Sequence, residues 1–338
     1  MSVLYVASDQ PGAGKTSLCS AFALLLRRQG QRVAVFKPFA DSGSDPDATA
    51  YRDLLDQDTD GWPISFGSEL FADSVAQASG ALSVVSGQAD HVIVEAAGAM
   101  SAQDTTKLAD AFDAKVVAVA GYRPALTASD LSPWTDSLNG RLSGVIVNGV
   151  SRYAGHSVTE DLVPSLAEAG MTHLGSIPED RTLLGASVGQ LAAHLGGRFV
   201  VDDPDTSMLV ERCQVGGMGL DPSKLRFGAE TDNAIIVRGD RPDIQMSALS
   251  VPVTCLVLTN GIDPIEYVKY EAERVNVPVM VVDSDTIATM DALAGLVEGA
   301  SFDHPRKLVR FADLVEQHVD LAAITAALDG DGQSKRLS

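Results

Sequence analysis

The sequence has few cysteines, few basic residues and no long apolar run, and each deficit excludes a class of protein. Its three cysteines, none in a CxxC pair, do not suggest a disulfide framework. Only 25 lysines and arginines stand against 45 aspartates and glutamates, and the net charge of −20 disfavours nonspecific binding to nucleic acid or an anionic membrane. No apolar run reaches membrane-spanning length, and no signal peptide precedes the first apolar strand. We therefore expect a cytoplasmic protein that binds neither nucleic acid nor membrane.

Short runs of valine and isoleucine alternate with helical segments, which predicts an α/β fold whose parallel sheet has helices on both faces. A chain of 338 residues favours two domains. We predict a first domain over 1–180. Its predicted strands are 3–6, 33–36, 91–94, 116–120, 145–147 and 173–177, and its predicted helices are 16–29, 48–55, 69–86 and 157–169.

The periodic pattern weakens after residue 180, where glycine pairs and an Asp-Asp-Pro stretch predict a linker over 181–206. A smaller α/β domain is predicted over 207–328. Its strands are 234–237, 255–258 and 279–282, and its helices are 264–274 and 305–319. The polar residues 329–338 predict a disordered tail.

The most informative segment directly follows the first predicted strand. It reads SDQPGAGKT over residues 8–16 and leads into an apolar-periodic segment that ends at Gly30. A strand, a glycine-bearing loop and a helix make a phosphate-binding loop, because backbone N–H groups and the positive end of the helix dipole then point at phosphate. Asp9 stands where the usual spacing has glycine, so the loop fits a variant one residue longer, with Ser8 at the opening position.

This loop predicts a nucleotide site for ATP with Mg²⁺. Lys15 adds a point charge for the outer phosphates and is expected to face solvent before the nucleotide binds. The hydroxyl of Thr16 can coordinate Mg²⁺. The residues expected to bind the nucleotide are Gly12, Ala13, Gly14, Lys15, Thr16 and Ser17.

A lysine and an acidic loop follow the second predicted strand, at the end of the sheet where ligands of open parallel sheets bind. Lys37 ends this strand and is either an active-site cation or a solvated terminus. The acidic loop beyond it leads into the helix near Ala48, and one of its aspartates can complete a Mg²⁺ shell. The alternative for Asp45 or Asp47 is that it caps this helix.

Two further strands end in side chains suited to a nucleotide site. Glu95 closes the third strand and is followed by small residues, so it can hold Mg²⁺ directly or through a water; the alternative is a carboxylate bonded to loop amides. Asn148 closes the fifth strand and offers a donor and an acceptor for an adenine edge, although Asn-Gly is also a common turn.

In these motifs residues 1–180 resemble the dethiobiotin synthetase-like P-loop fold, and in particular the N-terminal domain of long bacterial phosphate acetyltransferases. The motifs are the loop ending in GKT, FKP at 36–38, the Asp-Ala pair at 47–48, VEAAG at 94–98, VIVN at 145–148 and GSIPED at 175–180. Residues near 207–325 resemble the DRTGG domain that follows in those proteins, through RGDRPDIQ at 238–245, LTNG at 258–261, the strand at 278–282 and the Asp-Thr pair at 285–286. The acetyltransferase domain of that family would lie beyond residue 338, so that activity is not expected.

The resemblance assigns roles to single residues. It implies that Lys15 and Thr16 contact ATP and Mg²⁺ and that Asn148 recognises adenine. It implies that Asp47 and Glu95 are Mg²⁺ ligands. Lys15 and Lys37 become the catalytic lysines, and Lys37 corresponds to the lysine that steadies a carbamate in dethiobiotin synthetase.

The sequence also departs from that family. Pro11 replaces a threonine used for substrate, Asp41 replaces a serine beside the carbamate, and Ala96 and Ala99 replace glycines. A negative charge at residue 41 would repel a carbamate, so dethiobiotin synthesis itself is not expected.

Two functions are compatible with these observations. The first is an ATP-binding protein of regulatory or slow ATPase character, and the resemblance adds that the same domain pair is thought of as regulatory in the long acetyltransferases. The second is an ATP-dependent ligase or kinase that forms an acyl or carbamoyl phosphate on a small carboxylate or amine metabolite. The preserved Lys15, Thr16, Asp47 and Glu95 favour Mg²⁺-ATP binding under both.

The second predicted domain carries one candidate ligand site of its own, Asp240 and Arg241, after a buried strand. Arg241 can bind a carboxylate or phosphate through two hydrogen bonds. The alternative is an internal salt bridge or helix cap. Because domains of the DRTGG type tend to pair, the resemblance also implies a homodimer through residues beyond about 207.

Overall fold

One structural unit of the chain consists of Met1–Asp180 and Lys307–Ser338, and a second consists of Arg181–Arg306. The structure is a computed structural model that describes residues 1–40, 45–58, 64–65, 72–98, 100–138, 140–217, 227, 231–298 and 300–334. No helix among these described residues is long and apolar enough to cross a membrane.

The first unit is built on a parallel sheet. Its strands are Ser2–Ser8 (β1), Val33–Phe36 (β2), Phe39–Ala40 (β3), Ile64–Ser65 (β4), His91–Glu95 (β5), Lys115–Gly121 (β6), Leu142–Val150 (β7) and His173–Pro178 (β8). The short β3 and β4 pair with each other, and the other six form one parallel sheet in the order β2-β5-β1-β6-β7-β8. Consequently β1 lies inside the sheet, between β5 and β6.

Helices alternate with these strands. They are Lys15–Arg28 (α1), Pro46–Leu55 (α2), Ala72–Val85 (α3), Ala102–Ala111 (α4), Ala128–Ser137 (α5), Gly155–Ser157 (α6) and Val163–Glu168 (α7), with a π-helical turn at Val158–Leu162 between the last two. Along β1, Val3 and Tyr5 pack into a core cluster with Phe36, while Leu4 and Val6, which alternate with them along the strand, are also buried. Because neighbouring side chains of a strand point to opposite faces, both faces of this sheet are covered, which confirms the predicted fold class.

The second unit is a smaller α/β domain. In chain order it contains Arg181–Leu184 (α8), Ala186–Ser187 (β9), Val188–Leu195 (α9), Arg198–Phe199 (β10), Leu209–Val210 (β11), Arg212–Val215 (β12), Asn233–Arg238 (β13), Pro242–Leu249 (α10), Cys255–Thr259 (β14), Glu266–Arg274 (α11), Val279–Val281 (β15) and Thr286–Glu298 (α12). Its sheet has the order β10-β15-β14-β13-β12, in which β12 to β15 are parallel and β10 is an antiparallel edge strand.

The segment 181–206, predicted to be a linker, instead belongs to the second unit. Its helix α9 begins with a capping box between Ser187 and Gln190 and ends at Gly196, which adopts the left-handed conformation with φ of 62°. Val188 and Leu191 are buried in the core of the unit. Gly196 therefore ends a packed helix and does not mark a linker.

The C-terminal part of the chain also departs from the predicted boundaries, because it returns to the first unit. Helices Pro305–His318 (α13) and Leu321–Ser334 (α14) follow the second unit, so that α14 extends into the stretch predicted to be a disordered tail. Ile324 and Leu328 line a small apolar cavity together with Leu4, Phe22 and Leu25 of the first unit. The N–H of Asp320 donates to the carbonyl of Leu174 at 2.7 Å, which joins the segment to β8. The second unit is thus inserted between β8 and the last two helices of the first.

Candidate nucleotide site

The loop between β1 and α1 has the backbone shape of a phosphate-binding loop. Gly12 and Gly14 have φ of 74° and 96°, a region that glycine enters at little cost. Gly14 is the N-cap of α1, and Lys15, Thr16 and Ser17 form its first turn. The free N–H groups of a helix N-terminus therefore begin at this loop, and they favour an anion.

Lys15 does not face solvent, contrary to expectation. Its side chain is buried and its Nζ donates to the hydroxyl of Ser8 at 2.8 Å. Ser8 in turn donates to the carbonyl of Gln10 at 2.7 Å, so its hydroxyl is oriented by the loop itself. The residue at the opening position of the loop thus holds the side chain of Lys15 over the loop.

Asn148 contacts the loop from β7. Its Nδ2 donates to the carbonyl of Ala13 at 2.9 Å, and its own carbonyl accepts from the N–H of Tyr122 at 2.8 Å. A Cβ atom added to Gly14 would lie only 2.3 Å from this Nδ2. Asn148 therefore lies in a strand rather than in a turn, and it supports the backbone of the phosphate-binding loop directly.

Asp9 is the position where the sequence departs from the usual glycine, and it has a structural role. Its side chain is nearly fully buried, and its Oδ2 accepts from Nη1 of Arg123 at 2.6 Å. The N–H of Gly121, at the end of β6, donates to its Oδ1 at 3.4 Å. The loop is thereby tied to β6, a contact the sequence did not indicate because its two partners are far apart in the chain.

Lys37 lies among carboxylates at the end of β2. Its Nζ lies 2.8 Å from Oδ2 of Asp45 and 3.8 Å from Oε1 of Glu95, and it also forms a short ion pair with Asp47. Burial alone would lower the pKa of Lys37, but Glu95, Asp47 and Asp45 raise it above its usual value, so the ammonium stays charged. Lys37 is therefore a buried, paired cation and not a solvated strand terminus.

The two aspartates at the start of α2 have different contacts. Asp45 is the N-cap, and its side chain accepts from the N–H of Asp47 at 2.8 Å while it pairs with Lys37. The capping alternative is thus correct for Asp45. Asp47 lies in the first turn of α2 and turns its carboxylate to Lys37. Asp41 lies outside the described residues.

Glu95 closes β5 with a carboxylate that is only 2% exposed. Thr16 Oγ1 donates to its Oε1 at 2.9 Å, and the hydroxyl of Tyr51 donates to its Oε2. Burial, together with the negative charge of Asp47, raises the pKa of Glu95 to about 7, against the opposing effect of Lys37, Tyr51 and Lys15. Glu95 thus accepts hydrogen bonds from two hydroxyls rather than from loop amides, and Lys37 is its ion-pair partner. Tyr51 is a residue that sequence reasoning missed, because an apolar-looking position on a helix gives no sign of a distant carboxylate.

The structure therefore brings Lys15, Thr16, Lys37, Asp47 and Glu95 together at the ends of neighbouring strands. Asn148 contacts the phosphate-binding loop from β7. Among the described residues no group of three or more His, Cys, Asp or Glu side chains forms a metal site by itself. A magnesium site built on one threonine and one or two carboxylates, completed by phosphate oxygens and water, does not need such a group.

The candidate site of the second unit shows a different pattern. Arg241 pairs with Asp243 through two nitrogens, at 2.9 and 2.7 Å. Asp240 pairs with Arg238 through bonds of 3.0 and 2.5 Å. Both predicted ligand residues thus have internal partners, which corresponds to the salt-bridge alternative.

Comparison with known families assigns both units. The sequence model of the AAA domain matches residues 2–187, which is more than half of the chain. The chain belongs to the AAA domain family. The match confirms the dethiobiotin synthetase-like P-loop domain that the sequence motifs predicted. The model of the DRTGG domain matches residues 190–296, inside the second unit.

Solved structures of low identity also resemble this AAA-domain chain. The CBS and DRTGG domains of the regulatory region of Clostridium perfringens pyrophosphatase, complexed with its activator diadenosine tetraphosphate, share 16% identity with a TM-score of 0.31, covering 56% of this chain and 74% of that one. The cell division protein MinD of Aquifex aeolicus shares 19% identity with a TM-score of 0.39 and coverages of 54% and 85%. The GDP complex of the 54 kDa signal recognition particle protein of Aeropyrum pernix shares 18% identity with a TM-score of 0.39 and coverages of 52% and 41%. Because these TM-scores are below 0.5, the likenesses support no statement about ligands or partners of this AAA-domain protein.

Proposed function

We propose that this protein binds Mg²⁺-ATP at the loop of residues 12–17 and acts as a nucleotide-responsive regulatory protein with slow ATPase activity. The proposal is based on the presence of a P-loop domain followed by a DRTGG domain. The relation to the N-terminal region of phosphate acetyltransferases is part of the same proposal. The observation that carries the regulatory role is the position of Lys37 among three carboxylates.

ATP binding is supported by the N-terminus of α1 and by Lys15. The N–H groups of the first turn and the helix dipole favour the phosphates, and Lys15 is already held over the loop by Ser8. A charge-assisted contact of this kind contributes about 1.5–3 kcal/mol. We assign adenine recognition to Asn148, which already contacts the loop through Ala13.

The residues around Thr16 fit a magnesium ion. Thr16 and Glu95 lie within hydrogen-bond distance, and Asp47 faces the same lysine as Glu95, so hard oxygen donors meet at the end of the loop. Thr16, Asp47 and Glu95 would hold the ion, which would supply positive charge against the triphosphate. Lys37 balances the charge of Asp47 and Glu95.

The carboxylate contacts of Lys37 favour a regulatory function over a ligase function. A ligase needs this lysine to hold the anionic oxygen of the acceptor next to the γ-phosphate. Here its ammonium is buried and already paired with Asp45 and Asp47, with Glu95 close by, so an anionic acceptor would have to compete with these carboxylates. A carbamate or carboxylate acceptor would thus meet an excess of negative charge.

The ligase alternative has one observation in its favour. The pKa of Lys37 is raised by its carboxylate neighbours despite burial, so a charged lysine is present at the carboxyl end of the sheet near Lys15. Asp47 and Glu95 would hold a divalent cation, which would supply the positive charge that Lys37 supplies here, and the ammonium of Lys37 would then be available to an acceptor. The reaction would then form an acyl or carbamoyl phosphate on a small metabolite.

Turnover distinguishes the two functions. We expect calorimetry to show saturable binding of Mg²⁺-ATP to the full chain, and phosphate release to stay slow when a panel of carboxylate and amine metabolites is added. Phosphate release that depends on one of these metabolites would support the ligase instead. Lys107→Ala removes an exposed lysine that pairs with Asp104, and it is the control for variants that remove a lysine of the site.

We also propose that the protein is a homodimer through the second unit. Exposed apolar side chains concentrate in and before helix α11 of that unit: Ile265, Tyr267 and Tyr270. Such a patch is compatible with a protein interface. Light scattering of residues 181–306 should give the dimer mass, and a monomer at micromolar concentration would contradict it.

A further inference from the structure

Tyr51 on helix α2 is the largest polar side chain in contact with the candidate magnesium ligands, and neither the P-loop nor any motif of the sequence accounts for it. Its side chain is fully buried, and its hydroxyl donates to Oε2 of Glu95. Burial, followed by neighbouring groups that include Glu95, raises the pKa of Tyr51 well above its usual value, so the group remains a hydroxyl donor.

The two oxygens of Glu95 are held from two sides. Thr16, in the first turn of α1, donates to Oε1, and Tyr51, on α2, donates to Oε2. A carboxylate with a donor on each oxygen cannot rotate about its last torsion without breaking one bond. The orientation of Glu95 is therefore set jointly by two helices.

This orientation matters because of how a hydroxyl binds a cation. The threonine oxygen coordinates through its lone pairs, so its proton has to point elsewhere. Oε1 of Glu95 accepts that proton at 2.9 Å. A Glu95 carboxylate free to rotate would leave the Thr16 proton without its fixed acceptor, and the threonine oxygen would no longer be oriented.

Tyr51 also lies on the same face of α2 as Asp47, one turn further along, because residues four apart on a helix are neighbours. Asp47 reaches Lys37 while Tyr51 reaches Glu95. The helix thus positions one proposed magnesium ligand directly and another through its tyrosine.

We propose that Tyr51 is a positioning residue of the nucleotide site: its hydroxyl fixes the Glu95 carboxylate, which keeps the Thr16 oxygen oriented for a divalent cation. The inference rests on the proposed Mg²⁺-ATP function. It assigns to α2 a role in making ATP binding depend on magnesium.

Tyr51→Phe tests this with Tyr5→Phe as a matched control. Tyr5 is also fully buried, but its hydroxyl donates to the sulfur of Met100 at 3.2 Å. Both variants remove one hydroxyl from a buried ring, and only one of them removes a donor to Glu95. The readout is the ratio of the ATP dissociation constants measured by calorimetry in EDTA and in excess Mg²⁺.

We expect Tyr51→Phe to reduce this ratio by about tenfold, since a hydrogen bond to a charged group is lost, and to leave the constant in EDTA nearly unchanged. Tyr5→Phe should leave both constants within about twofold, as expected when a weak thioether acceptor is lost. A wild-type protein that responds to Mg²⁺ and a Tyr51→Phe protein that responds equally would overturn the positioning role alone. A wild-type protein that binds no ATP in either buffer would overturn the proposed function with it.

A double variant distinguishes the positioning role of Tyr51 from a general effect of the substitution on folding. Glu95→Gln removes the carboxylate that Tyr51 is proposed to position, so adding Tyr51→Phe to it should change the ratio by less than about twofold. A purely structural tyrosine would instead weaken binding equally in both backgrounds, which contradicts the proposal.

Discussion

Gly14→Ala is the substitution whose cost the structure defines most closely. Gly14 has φ of 96°, and an added Cβ would lie 2.3 Å from Nδ2 of Asn148, a distance that real Cβ contacts do not reach. Gly12 offers a matched control, because it has φ of 74° but no atom within 4 Å of an added Cβ. Both substitutions place an alanine in the left-handed conformation, and only Gly14→Ala also brings its Cβ into collision with Asn148.

The magnitudes follow from these two contributions. The left-handed conformation costs an alanine about 1–2 kcal/mol, and the displaced Asn148 amide loses its bond to Ala13, which is worth about 0.5–1.5 kcal/mol. We therefore expect a loss of unfolding free energy of about 1–2 kcal/mol for Gly12→Ala and about 1.5–3.5 kcal/mol for Gly14→Ala. In an Asn148→Ala background the two substitutions should cost the same unfolding free energy, because the amide that collides with residue 14 is absent.

Urea unfolding followed by tryptophan fluorescence measures this difference, and both tryptophans of the sequence, at 62 and 134, precede residue 180. Calorimetry should show a larger loss of Mg²⁺-ATP affinity for Gly14→Ala than for Gly12→Ala. Equal stability losses for the two variants, or an excess that persists in the Asn148→Ala background, would refute the steric reasoning.

Three further outcomes are expected. Lys15→Ala should lower ATP affinity about ten- to a hundredfold through the loss of a charge-assisted contact, while Lys107→Ala leaves it unchanged; unaltered calorimetry for Lys15→Ala would contradict the site. Glu95→Gln should weaken ATP binding more in Mg²⁺ than in EDTA, and equal losses would indicate a structural carboxylate. Leu328→Ala should cost the first unit about 2–5 kcal/mol in urea unfolding because it empties a buried contact, whereas Val309→Ala, at an exposed position, stays within about 0.5 kcal/mol; similar losses for both would contradict the docking of α14.

The strands and the loop of the P-loop domain were predictable because their signals are local. The continuous burial along β1 and the positive φ of Gly12 and Gly14 are consequences of residues next to one another in the chain. The positions of Lys37 and Glu95 at the same end of the sheet follow from the general rule for parallel strands. The roles that we give to these residues stay predictions.

Contacts between distant residues were not predictable in the same way. The pairing of Asp9 with Arg123, the bond from Tyr51 to Glu95 and the return of α14 to the first unit each join segments far apart in the sequence. The segment 181–206 was different, since its capping box between Ser187 and Gln190 is a local signal that identifies the start of a helix. This helix was therefore predictable from the sequence, although the glycines that follow it favoured a linker.

The central claim is that Mg²⁺-ATP binds at the P-loop without a metabolite acceptor to phosphorylate. The most direct measurement is phosphate release from Mg²⁺-ATP by the full chain, with and without a panel of carboxylate and amine metabolites, alongside calorimetric binding to the same sample. The proposed function predicts saturable binding and slow release that no metabolite accelerates. Absence of binding, or release that requires one of the metabolites, would contradict it.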